Sequence, residues 1–166
     1  MAELTNLESK LGEVVGLAMA AQEATQKVAK LAKEDGDDEL VGELERMRAE
    51  AKETADRGTA VAAVFEGKKT AILEEARDVK QKAQEMMKTY LDQASDALDG
   101  FEFLTMAEAG EVGHWEILNT LTERARMSNV QELCSWAIPI QQRHFEDVRK
   151  GSLQLAAEED PDEPAE

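Results

Sequence analysis

The chain has two histidines, and each stands three residues after a polar side chain: Glu111 before His114, and Gln141 before His144. On a helix, a spacing of three puts both members of a pair on one face. The pairs interrupt lines that are otherwise apolar. One reads Leu104, Ala107, Glu111, His114, Leu118, and the other Ala137, Ile140, Gln141, His144, Val148. Carboxylate and imidazole projecting from facing helices make the oxygen and nitrogen ligand set that iron or manganese accepts and zinc tolerates. The same groups can also satisfy one another by hydrogen bonds and fix the register of packed helices with no metal at all.

The heights of these groups agree. If the chain reverses around Met127-Ser128, Glu111 lies as far from the turn as His144, and His114 as far as Gln141, so all four are expected in one cross-section. A reversal near Gly36 likewise sets Gln22 level with Glu50, with Glu23, Glu53 and Asp56 a turn or less away. Glu50 and Glu53 are therefore expected to join Glu111, His114, Gln141 and His144 as candidate metal ligands. Burying such groups costs several kcal/mol each unless they are paired, hydrogen-bonded or metal-bound, so the sequence has a physical reason for keeping them together.

The elements that position these residues read as helices throughout. Thr5-Asn6-Leu7-Glu8 matches a capping box, which starts a first helix running to about Lys33, with Gly36 as its stop. Leu40, Leu44, Met47, Ala51, Gly58, Val61 and Phe65 set a second helix from about Glu39 to Phe65. A third stretch, Thr70 to Leu98, has a weaker apolar face and reads as a helical crossover. Gly100 is expected to end it, and a fourth helix spans about Phe101 to Arg126. Ser128-Asn129-Val130-Gln131 matches a second capping box before a fifth helix that reaches about Ala157 and is expected to kink at Pro139. The expected fold is all-α: an antiparallel four-helix bundle over residues 1–157, two hairpins joined by the crossover, then an acidic disordered tail over 158–166. At 1.5 Å per residue, helices of about thirty residues are on the order of 40 Å long.

Helix pair, long crossover and helix pair, with Glu-x-x-His-like motifs facing inward, resembles the ferritin-like superfamily. Glu111-Val112-Gly113-His114-Trp115-Glu116-Ile117 is also similar to the Glu-His-Tyr-Glu-Ile segment of a bacterial stress-associated ferritin-like family. The resemblance implies a dinuclear iron or manganese centre, with one carboxylate from each of two helices and Glu-x-x-His from the other two. The sequence departs from that pattern at Gly113, which replaces a glutamate, and at Gln141, which replaces the first carboxylate of a motif. The first hairpin has no histidine; Glu53-Thr54-Ala55-Asp56 and Gln22 or Glu23 are the nearest substitutes. A single metal ion, or none, fits these residues better than two. The expected function is that of a ferritin-like metal-binding protein linked to iron handling or oxidative stress. The alternative is a non-enzymatic bundle with a vestigial polar core that acts in assembly or stress protection.

Composition narrows the partners. Thirty-six acidic against nineteen basic residues give a net charge of −17, which repels a phosphate backbone and an anionic membrane surface. The same field draws in cations. No run approaches the roughly 18 apolar residues of a membrane span, and the start of the chain lacks the pattern of a signal peptide, so a cytoplasmic location is expected. The apolar stripes also suit a coiled-coil homo-oligomer, although the short turns favour folding back within one chain. Cys134 is the single cysteine, so no internal disulfide can form, and beside Leu133 it reads as core filling.

Overall fold

A computed structural model describes residues 2–94 and 96–164. It contains five helices: α1 (Asn6–Glu34), α2 (Asp38–Ala62), α3 (Lys69–Leu91), α4 (Ala97–Ala125) and α5 (Ser128–Glu158), with no strand among the described residues. The capping box at Thr5 forms as expected, since its hydroxyl accepts from the Glu8 N–H while the Glu8 carboxylate accepts from the Thr5 N–H. Gly36 takes a left-handed φ of 84°, which a residue without Cβ adopts freely. That turn sends α2 back along α1.

Three expectations are corrected by local structure. The second capping box does not form: Met127 is the N-cap of α5, and no side chain bonds across it. Gly100 does not separate two helices but lies inside α4, where its missing side chain lets Val28 and Leu31 of α1 approach; a Cβ there would sit 2.8 Å from Val28. The third helix ends at Leu91, and α4 begins at Ala97 behind Asp96, whose side chain accepts from the Asp99 N–H. α5 continues through Pro139. Glu159 to Pro164 is exposed and non-helical, and the rest of the expected tail, Ala165 and Glu166, lies outside the described residues.

α1 is the central packing element, touching α2, α3 and α4; α5 packs on α4 and α2. α3 runs in the same direction as α1, with Ile72 and Ala76 level with Gly12 and Gly16 and with Gln84 on Glu23. α4 runs the opposite way, with Ala97 at Asp35 and His114 at Glu13. The apolar core falls into two clusters. One gathers Val28, Leu44, Met47, Phe101, Leu104 and Val148 toward the Gly36 end. The other gathers Leu11, Val14, Trp115, Leu118, Val130 and Ala137 toward the opposite end. What separates them is a layer of buried polar side chains.

Candidate functional site

The layer is built on the inner line of α4, where Ala97, Phe101, Leu104, Glu108, Glu111, Trp115, Leu118 and Thr122 are all buried. Steps of three and four alternate along this line, the rhythm of a helix face that stays against one neighbour. Glu108 and Glu111 occupy its middle. From α5 come Gln141 and His144, both buried, and from α2 comes Glu50 at the edge.

The groups are joined in a chain of contacts. The Gln141 amide donates to Glu108 Oε2. His144 Nδ1 lies 3.8 Å from the same Glu108 oxygen, beyond hydrogen-bond reach, and its Nε2 lies 3.1 Å from Glu50 Oε2. Glu50 is held from outside by Arg143, which donates to the same oxygen, and by Arg46 at 3.6 Å. Arg46 in turn reaches Asp147 at 2.6 Å.

Electrostatics make the interior of this layer neutral. Burial pushes the Glu108 carboxyl up to about 8, against a smaller opposing pull from the Gln141 hydrogen bond. Burial also raises Glu111 well above the ordinary carboxyl range, and the neighbouring Glu108 adds to it. Removal from water lowers His144, with the Glu50 contact opposing. Each shift favours the uncharged form, as desolvation requires.

The structure brings together Gln141, His144 and Glu50, and adds Glu108, which the sequence reading missed by following Ala107 instead. Glu111 shares the α4 line but makes no hydrogen bond among the described residues; it lines a cavity between α1, α3 and α4. His114 does not join its expected partners. It sits one position off the inner line, its side chain 39% exposed, with Nδ1 3.3 Å from Glu13 Oε2 and 3.3 Å from Lys10 Nζ of α1. Glu53 is exposed and bonded to Arg57 at 2.8 Å. Asp56 pairs with Lys52, Glu23 with Gln84, and Gln22 with the Ala18 carbonyl. The expected single cross-section of Glu111, His114, Gln141 and His144 is thus replaced by Glu50, Glu108, Gln141 and His144.

These residues do not fit a dinuclear centre. At the height of the layer α1 buries Ala18, Ala21 and Thr25, and the Thr25 hydroxyl is already bonded to the Ala21 carbonyl. α1 therefore supplies no ligand from these buried positions. Among the described residues, no three His, Cys, Asp or Glu side chains are grouped so as to hold a metal ion. Nor is any helix long and apolar enough to cross a membrane. Compared with protein-family models, curated proteins and solved structures, the chain matches none.

Proposed function

We propose that this chain is a ferritin-like bundle of the non-enzymatic kind, in which a hydrogen-bonded polar layer stands where a dinuclear centre would be. Supporting the bundle topology, α1, α2, α5 and α4 form a closed ring of neighbours, while α3 lies outside on α1 and carries the chain back from the end of α2 to the start of α4. The observation that carries the functional reading is the use of the polar atoms. Gln141 is spent on Glu108, and His144 on Glu50, while α1 offers only Ala18, Ala21 and Thr25. A hydrogen-bonded polar layer of this kind specifies which helices meet and at what register. It presents no activated nucleophile or open ligand set, so the protein acts through what it binds or assembles with.

One observation favours a second reading, a single divalent ion. Glu108 and Glu111 lie on adjacent turns of the same buried line, and an imidazole nitrogen is 3.8 Å from one of them. An ion of iron or manganese would there take the place of the carboxyl protons, and it would have to draw Glu108, Glu111 and His144 closer together than they stand, since they are not grouped to hold a metal ion.

Metal content separates the two. The protein is purified without chelator, reconstituted with ferrous iron and compared with a Glu108→Gln, His144→Ala double variant. The first reading expects well under one metal per chain and no change in Tm on reconstitution. One ion per chain, lost in the variant and raising the Tm of the wild type, would replace it with the second.

A further inference from the structure

Between α3 and α4, with α1 as its floor, lies a cavity of about 200 Å³. Its walls are mainly apolar, including Leu17, Ala21, Met87 and Phe103, while Met86 and Met106 stand half-exposed at the rim. Three polar side chains of α4, Glu108, Glu111 and His114, also line it; Glu108 is bonded to Gln141 and His114 contacts Glu13 and Lys10, which leaves Glu111. Its side chain lines the cavity, is more than nine-tenths buried, and makes no hydrogen bond among the described residues. Among the described residues the fully buried side-chain atoms left without a partner are Glu74 Oε2 and Trp115 Nε1, so the unbonded Glu111 carboxyl reaches the space of the cavity rather than the packed core.

From this juxtaposition we propose that the cavity is a binding site for a small amphiphilic amine, its apolar body between α3 and α4 and its ammonium donating to the Glu111 carboxylate. The volume suits such a ligand, since a dry cavity of about 150 Å³ accepts benzene. Mostly apolar walls with a small number of placed polar groups are the usual make-up of a small-molecule site. The unbranched methionines at the rim adapt to the shape of an entering group. A cationic head is selected over an anionic one because an ammonium takes the place of the proton that burial otherwise keeps on Glu111, that proton leaving to solvent, and because the whole chain carries a net charge of −17. This inference goes beyond the reading of the polar layer, because it concerns the one carboxyl that the layer leaves unbonded.

Phenethylamine and its neutral isostere 2-phenylethanol serve as probes, titrated by calorimetry into the full chain in buffer containing chelator, so that metal plays no part. The wild type is expected to bind the amine at least tenfold more tightly than the alcohol. Glu111→Gln keeps the shape and should erase that preference. Gly110→Leu should abolish binding of both probes, because a side chain there meets nothing within 4 Å and can fill the mouth of the cavity; circular dichroism shows that each variant is folded. Absence of amine binding by the wild type, equal affinity for the two probes, or a preference that survives Glu111→Gln would each overturn the proposal.

Discussion

His144 Nε2 lies 3.1 Å from Glu50 Oε2, so a fully buried imidazole on α5 is tied to a carboxylate on α2 that two arginines hold from the solvent side. The contact is one of the few polar ties between α2 and α5. Its loss leaves the ring nitrogen inside the protein without a partner, and the penalty for such an orphan exceeds the net worth of an ordinary hydrogen bond. Glu50→Ala and His144→Ala are each expected to destabilise the fold by about 1–3 kcal/mol. The double variant should cost less than their sum by about 1 kcal/mol. Urea unfolding of the four proteins measures the coupling, and strict additivity would mean that the contact contributes nothing.

The neutral interior of the layer gives stability a defined pH dependence. Glu108 titrates at about 8 in the folded chain against 4.5 for an ordinary glutamate. The folded state therefore favours its proton, a contribution that is complete below pH 4.5 and lost as pH rises through 8. His144 acts in the opposite sense: its value is lowered from 6.5, so its contribution is present above pH 6.5 and lost on acidification. Glu108→Gln keeps the neutral shape at every pH. From pH 5 to 8 the variant should gain on the wild type by roughly 1.4 kcal/mol per pH unit, or about 4 °C in Tm per unit. Thermal melts at pH 5, 6.5 and 8 test this, and a gap that stays constant with pH would show that Glu108 is charged in the fold.

The two hairpins and the intervening helix are legible in the sequence because local signals coincide there. Thr5 and Glu8 cap one end of α1, Gly36 turns at the other, and Leu40, Leu44 and Met47 repeat at helical spacing. The layer is legible on α5, where Gln141 and His144 keep the expected face. On α4 the reading slips by one position. Ala107 and His114 extend a plausible line, but the buried line is Leu104, Glu108, Glu111, Trp115. A shift of one residue turns a helix face by about 100°, enough to send His114 to Glu13 and Lys10. Trp115, nearly wholly buried, is the signal that would have chosen between the two lines, since a large ring anchors the inner face more strongly than an alanine. Glu53 escapes for another reason. Arg57, one turn on, holds it at the surface, and such intrahelical pairing competes with any inward role.

Gly16 and Gly42 both sit in helix interiors, where alanine is favoured by about 1 kcal/mol, yet they should respond in opposite directions. A Cβ on Gly16 would lie 2.3 Å from the Ala76 carbonyl oxygen of α3, whereas one on Gly42 meets nothing within 4 Å. Gly42→Ala is expected to stabilise by up to about 1 kcal/mol. Gly16→Ala should destabilise by about 1–3 kcal/mol and increase amide hydrogen exchange across Lys69–Leu91, because backbone must give way to backbone. Unchanged exchange in α3 would show that its seat on α1 does not depend on this close approach.

Cys134 provides a direct probe of the second core cluster. Its side chain is fully buried, and burial raises the thiol from 9.0 to about 11, with Thr122 opposing. Only the thiolate reacts, so a rise of this size cuts the reactive fraction at pH 8 by about a hundredfold, and packing blocks the reagent besides. Reaction with a thiol-specific disulfide reagent should therefore be slow in the native protein and complete within minutes in urea. Its native rate should follow the opening of α5 away from Trp115 and Leu118 of α4, so Leu118→Ala is expected to accelerate it in step with the lost stability. Rapid labelling of the native wild type, at a rate Leu118→Ala does not change, would place Cys134 outside the packed core.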